Sequence, residues 1–219
     1  MGTGTRNTGL SRERIVAAAV EILDVSGESG LTFRALSAKL RTGAGAIYWH
    51  VANKGELLAA ATDFVLLSAL TDEGTTPHER IRLLAVGIFD TVDAHPWAGE
   101  QIARLPSQRT TLRIFERIGQ QIQALGVPRE SRFDSASALL NYILGVAAQN
   151  AALARSASGE TSRDAVLESV ASLWEGLDGD EYPFIHDVAT QLRSHDDREQ
   201  FLAGIDLILA GISLSMGTK

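Results

Sequence analysis

Three features of the sequence predict an all-α chain: a small three-helix N-terminal head followed by a larger C-terminal helical body. Apolar residues recur with helical spacing through most of the 219 residues. No stretch shows sustained strand alternation bounded by turn residues. Turn formers cut the chain into short helices before the Thr71–Pro77 linker and longer ones after it.

In the first segment Ile15, Ala18, Ala19, Ile22 and Leu23 form one apolar stripe, with Ser11 as N-cap and Gly27 as the expected stop. Thr32 caps a second short helix that points Phe33, Leu36 and Leu40 inward. A break at Arg41–Gly43 precedes a third segment, Ala44 to His50. Asn53 then caps a fourth helix carrying Leu57, Leu58, Ala61, Val65 and Leu66. Beyond the linker, helices are expected over 78–94, 96–104, 107–125, 131–156, 163–177, 181–193 and 196–215. The breaks fall at Gly126–Pro128, Ser156–Ser162 and Gly176–Pro183. The domain reading is a disordered tail over 1–9, a head over 10–56 and a body over 57–219.

Composition narrows the function classes. Hydrophobic residues make up 45% of the chain, and no uninterrupted apolar run reaches the roughly 18–20 residues that span a bilayer. There is no cysteine, which excludes disulfides and thiolate chemistry. The polar, Gly/Thr-rich stretch Met1–Gly9 lacks the apolar core of a signal peptide, so a cytoplasmic protein with no membrane partner is expected. The net charge is −7, but it is unevenly spread. Residues 1–55 hold seven basic and four acidic side chains, so the acidic excess lies wholly in the body. A basic head on an acidic body suits a protein that presents one end to phosphate.

Two short helices joined by a tight break and braced by a third are the architecture that places a recognition helix in the major groove. The pair here is 33–40 and 44–50. Tyr48 presents a phenol suited to a phosphate oxygen, and Lys54 opens the next helix, where ammonium and helix N-terminus can both face phosphate. Thr32 offers a hydroxyl on the other flank, and Arg34 suits a phosphate or a guanine edge. Arg41, Thr42, Trp49 and His50 complete the candidate double-stranded DNA surface. The positions at the start of the recognition helix are Gly43, Ala44, Gly45 and Ala46, none of which can hydrogen-bond a base edge. Three outcomes stay open: reading of shape and thymine methyls, specific contacts from Arg34, Arg41, Thr42 or Trp49, or poor specificity.

The run Leu31-Thr32-Phe33-Arg34-Ala35-Leu36-Ser37-Ala38-Lys39-Leu40 and the run Ala46-Ile47-Tyr48-Trp49-His50-Val51-Ala52-Asn53-Lys54-Gly55-Glu56-Leu57-Leu58 resemble the TetR/AcrR family of repressors. The aromatic-aromatic-His-Val-x-Asn-Lys stretch is most similar to the tetracycline-repressor branch. Leu10–Ile15 matches the family's first helix, and Phe201–Gly211 is similar to the last helix of that branch. The family usually has a Gly-Val pair at the turn, where this chain has Arg41-Thr42.

The resemblance implies a homodimer held by a four-helix bundle of two C-terminal helices per subunit. The candidates are 131–156, with Leu140, Leu144 and Ala147, and 196–215, with Phe201, Ile205, Ile208, Leu209 and Ile212. It also implies a small-molecule effector and release of a palindromic operator. Phe64, Leu67, Phe89, Trp97, Ile102, Phe115, Ile118, Asn141, Gln149 and Trp174 are the candidate pocket residues. The branch's metal-binding positions fall on Leu70, Ile102 and Gln149, an unsuitable set for a hard cation. No metal or cofactor is therefore expected, and the effector should be an apolar organic molecule other than magnesium–tetracycline.

Two rival readings differ in class. An enzyme is disfavoured because the five histidines show no H-x-x-x-H or H-x-H spacing and no G-x-S-x-G is present. An adaptor or ligand-binding protein whose head no longer reads DNA is motivated by the side-chain-poor stretch 43–46.

Overall fold

Eleven α-helices make up the described part of the chain, with no strand among them. The computed structural model describes residues 10–70, 73–104, 109–156 and 163–216. The expected tail over 1–9 and most of the expected break at 156–162 lie outside them.

The head is α1 (Arg12–Gly30), α2 (Phe33–Leu40) and α3 (Ala44–Tyr48). It is followed by α4 (Lys54–Leu66), which ends in a 3-10 turn over Leu67–Ala69. Each expected cap is present. Ser11 Oγ accepts from the Arg14 N–H, Thr32 Oγ1 from that of Ala35 and Asn53 Oδ1 from that of Glu56. These bonds satisfy amide donors that a helix start leaves open. The expected stop at Gly27 is a kink: its backbone turns to φ 62°, and one further turn runs on to Gly30. A side chain at that φ would be strained, so glycine sets the break.

The body begins with α5 (Pro77–Ala94), closed at its start by a reciprocal capping box between Thr76 and Glu79 with Pro77 in the first turn. Then follow α6 (Pro96–Arg104), α7 (Arg109–Ala124), α8 (Arg132–Ser156), α9 (Arg163–Glu175), α10 (Pro183–Val188) and α11 (Asp197–Met216). The helix expected over 181–193 is instead α10 followed by a 3-10 stretch, Ala189–Ser194. Ala189 is the one fully buried residue there, so no apolar stripe sustains a longer α-helix.

One core joins head and body. Ile15, Leu23, Leu36, Ile47 and Leu57 are buried in the head and lead through Leu66 to Ile81, Ile88, Ile102, Ile114, Ile118, Leu139 and Ile205. The expected division between residues 56 and 57 falls one turn inside α4. This single helix packs on α1 at its start and on α5, α6 and α7 further along. Asp63 of α4 also accepts a hydrogen bond from Thr110 of α7. Beside this core α9, α10 and the 3-10 stretch pack chiefly on one another, tied by Arg193 to both Glu168 and Glu175.

The most extensively packed pair is α6 with α8, and Gly99 makes the approach possible. A β-carbon there would lie 2.6 Å from the Ala147 carbonyl oxygen and 2.8 Å from Val92 Cγ1. Backbone cannot rotate out of the way as a side chain can. Gly99→Val is expected to cost about 1–3 kcal/mol or more, as overpacking of a rigid site does. A fall in Tm checks it; an unchanged Tm would mean that α6 leaves α8 freely.

Two helices reach the length and mean hydropathy of a membrane span, 1.2 over residues 129–154 and 1.3 over α11. Polar residues such as Asn141, Gln149 and Asp206 interrupt them, so no unbroken apolar run shows in the sequence. The last of them, α11, is apolar on two sides. In α11 Phe201, Ile205, Leu209 and Ile212 pack into the chain's own core, while Leu207 and Leu214 are each 75% exposed. In α8 Ala136, Leu139, Ile143 and Ala147 are buried, while Gly145, Gln149 and Leu153 face outward. The partner-facing set expected from the sequence therefore needs correction. Ala147, Phe201, Ile205, Leu209 and Ile212 are already enclosed by their own chain. Leu140, Leu144 and Ile208 are half-buried, and the open apolar stripe of α11 runs through Ala203, Leu207, Ala210 and Leu214.

Candidate nucleic-acid interface

The turn between α2 and α3 closes through the backbone. The Arg41 N–H reaches the Ala38 carbonyl at 3.3 Å and the Thr42 N–H reaches that of Ser37 at 3.0 Å. Arg41 takes the left-handed conformation, φ 51° and ψ 49°, where glycine is usual. A residue with a β-carbon is strained there by about 1 kcal/mol, so the turn keeps a cation at a stability cost. The Arg41 side chain is exposed and Thr42 is half-buried.

Ile47 and Val51, both fully buried, anchor α3 and its exit on the head core. The α-helix ends at Tyr48, earlier than the expected His50, and the His50 and Val51 amides close the end on the Ile47 carbonyl. Tyr48 stacks on Phe33, ring centroids 4.3 Å apart, and remains half exposed. That contact sets its phenol beside the start of α2, where Thr32 and Arg34 are exposed. Trp49 is 89% exposed, an unusual state for the largest apolar side chain and one with no packing role. His50 is half-buried.

Gly43, Ala44, Gly45 and Ala46 are all exposed, and a β-carbon on Gly43 or Gly45 would meet nothing within 4 Å. No neighbour in the chain requires these positions to be small. The result is a smooth backbone surface that an external partner can approach closely.

Lys54 occupies a different place from the one expected. Its Nζ donates to the Glu28 carbonyl at 2.6 Å and is half-buried, tying the start of α4 to the end of α1. Next to it Glu56 accepts from the Ala52 N–H at 2.8 Å and from Arg12 at 2.9 Å. That amide and the Arg12 guanidinium hold the Glu56 carboxyl below its usual range. The brace is complete at neutral pH and is lost as the pH falls through the folded-state value.

A second tie was not foreseen. Asp24 Oδ1, on α1, takes hydrogen bonds from the Trp97 indole N–H at 2.7 Å and lies 2.7 Å from His95 Nδ1. One turn on, Gln101 Nε2 donates to Glu28 at 3.1 Å. These pairs stand over 70 residues apart in sequence, and no local motif announces them. The head is thus fixed to the body from the back of α1 as well as through α4.

The ten candidate pocket residues do not converge. Phe89, Trp97, Ile102 and Ile118 are buried core, with Phe89 stacked on Phe201. Phe64, Asn141 and Gln149 are exposed, and Trp174 belongs to the separate layer of α9. Leu67 and Phe115 line one cavity of about 800 Å³ between the end of α4 and α7, and Trp97 lines a separate one of about 510 Å³ between α1 and α6. Aromatic or mixed composition did not separate pocket wall from core. Of the aligned metal positions, Ile102 is buried, Leu70 half-buried and Gln149 exposed.

Trp49→Ala is expected to weaken DNA binding roughly tenfold, as loss of an exposed aromatic at an interface centre does, with Tm unchanged. Fluorescence anisotropy with DNA from beside the protein's own gene checks it, and equal affinity would remove Trp49 from the interface.

Known proteins match both parts of the chain. The family model described as bacterial regulatory proteins, tetR family, matches residues 15–61, and that of the tetracyclin repressor-like C-terminal domain matches 70–216. The class C tetracycline repressor protein of Escherichia coli is 30% identical over 165 residues, 74% of this chain and 68% of that protein. An HTH-type transcriptional regulator of Saccharopolyspora erythraea is 29% identical over 139 residues, 62% of this chain and 59% of that relative. The solved structure of the transcriptional regulator SCO7222, a TetR from Streptomyces coelicolor, superposes with a TM-score of 0.85. It has 54% identity, covering 94% of this chain and 99% of that one.

Proposed function

Because the chain belongs to the TetR family of bacterial transcriptional regulators, we propose that it is a cytoplasmic, non-enzymatic, dimeric repressor that leaves a palindromic operator when a small organic effector binds. The observation that carries this reading is the outer face of α2 and α3. Thr32, Arg34, Tyr48 and Trp49 stand exposed on a braced frame beside the smooth surface of Gly43–Ala46. Polar groups at the flanks take phosphates and set the register. The side-chain-free stretch lets the backbone approach the groove, with Ala44 and Ala46 against thymine methyls. Arg41 and Thr42 lie at the entrance, and Lys54 acts by holding α4 against α1 close to the phosphates.

Two heads on one dimer read half-sites about one helical turn apart, roughly 34–36 Å. The effector acts by preferring a head spacing that the operator does not fit, so its differential affinity sets the extent of release. In this reading α4 is the lever between cavity and head.

A DNase I footprint on DNA flanking the protein's own gene tests the proposal. Protection of a palindrome that weakens steeply with salt is expected. An adaptor with a silent head, the reading that the bare Gly43–Ala46 surface also favours, gives no sequence-specific protection at moderate salt, and that result would overturn the repressor.

A further inference from the structure

We propose that the cavity between the end of α4 and α7 takes a singly charged organic acid with an apolar body. This names the effector class and rests on the regulator reading only for its consequence, because the binding itself is measured without DNA. Arg109, Arg113 and Arg117 stand four residues apart along α7 and all line the cavity, against one glutamate, Glu116. Residues i, i+4 and i+8 share a helix face, so the three guanidiniums form a row. In a body whose charge is otherwise acidic, this row makes one basic recess. Guanidinium pairs with carboxylate or sulfonate oxygens through two parallel hydrogen bonds, which an uncharged ligand cannot use.

The remaining wall is apolar. Leu67 is 61% exposed and Leu112 is 56% exposed, while Phe115 is half-buried and meets Phe133 edge to face at 6.2 Å. Large apolar side chains left open beside a recess mark a surface awaiting a ligand. A volume of about 800 Å³ lies within the usual range of small-molecule sites, roughly 300–1,000 Å³. Acid at the arginines and apolar body against the leucines is the arrangement that satisfies both walls. The sequence led to an apolar organic effector; the cavity adds the acid, since an apolar body alone makes no use of the guanidiniums of Arg109 and Arg113.

The position gives binding a consequence. Leu67 directly follows α4, and Thr110 of α7 holds Asp63 of α4. A ligand drawing α7 and Leu67 together shifts the body end of the helix that starts beside Glu28 in the head.

Two fluorescent probes with the same rings test the class: 8-anilinonaphthalene-1-sulfonate, which is anionic, and N-phenyl-1-naphthylamine, which is neutral. The full chain is expected to bind one sulfonate per subunit, saturably and at least roughly tenfold more tightly than the neutral probe. Arg113→Gln should weaken the sulfonate roughly tenfold and change the neutral probe less than twofold. Arg129→Gln, on an exposed turn outside the cavity, should change neither. Arg113 is exposed, so its replacement leaves the core intact. Equal affinity for the two probes overturns the proposal, as does an Arg113→Gln variant that binds the sulfonate like the parent. A chain that binds the sulfonate through Arg113 but protects no DNA overturns the regulator and leaves the site standing. Intact footprinting with no sulfonate preference does the reverse.

Discussion

Leu207→Glu is expected to turn the proposed dimer into a monomer and to remove operator binding with it. Leu207 and Leu214 lie seven residues apart on the outer side of α11, with Ala203 and Ala210 in the same stripe. Burying a leucine side chain stabilises by about 1.5–3 kcal/mol. In the proposed dimer two-fold symmetry doubles each contact, so the stripe would supply several kcal/mol of association. A carboxylate in its centre removes that term and must be desolvated beside its own symmetry mate, so the dimer dissociation constant should rise at least about a thousandfold. Each half-site contact then acts alone, and the gain from joining two heads disappears. Sedimentation velocity at micromolar concentration reads the first effect and a gel shift the second. A variant that still sediments as a dimer would show that α11 does not form the interface. Ile205→Ala serves as the contrast: it is fully buried inside the chain and should lose about 2–5 kcal/mol of stability without changing the oligomeric state.

That contrast marks where sequence reasoning stopped. Helical spacing identified the apolar residues of α8 and α11 correctly, because a 3.6-residue period needs no partner to be visible. It could not say which of two apolar sides faces the chain's own core. Phe201 and Ile205 keep the same helical period as Ala203 and Ala210, so spacing alone does not rank the two sides. Caps were legible for the opposite reason. Ser11, Thr32 and Asn53 act within three residues of themselves, and the structure places all three bonds. Lys54 sat where the motif put it, but its ammonium found a carbonyl 26 residues earlier. The cavity arginines stood in plain view at four-residue spacing along a strongly amphipathic helix. Nothing local marks them as a binding wall, because Leu67, the other wall, comes from a distant part of the chain.

Asp24→Ala is expected to weaken operator binding about thirtyfold while leaving the dimer and the core intact. Asp24 accepts from Trp97 and pairs with His95 through one oxygen, at the point where α6 supports the back of α1. The carboxylate is about one-third exposed, so the tie is screened and is worth roughly 1 kcal/mol per head rather than the larger value of a buried pair. In the proposed dimer both heads must be held at operator spacing, so the loss is doubled to about 2 kcal/mol. Without the tie each head samples orientations that the operator does not accept, and binding must supply the ordering. Gln101 with Glu28 and Lys54 with the Glu28 carbonyl still hold α1, which is why the effect stops short of unfolding the head. Asp24→Asn keeps an acceptor for the Trp97 N–H and should fall between parent and alanine. Anisotropy titrations measure the affinities, and faster hydrogen–deuterium exchange of the amides around Asp24 and Trp97 shows that the tie has opened. Parent-like affinity together with that faster exchange would mean that the Asp24 tie does not set the heads.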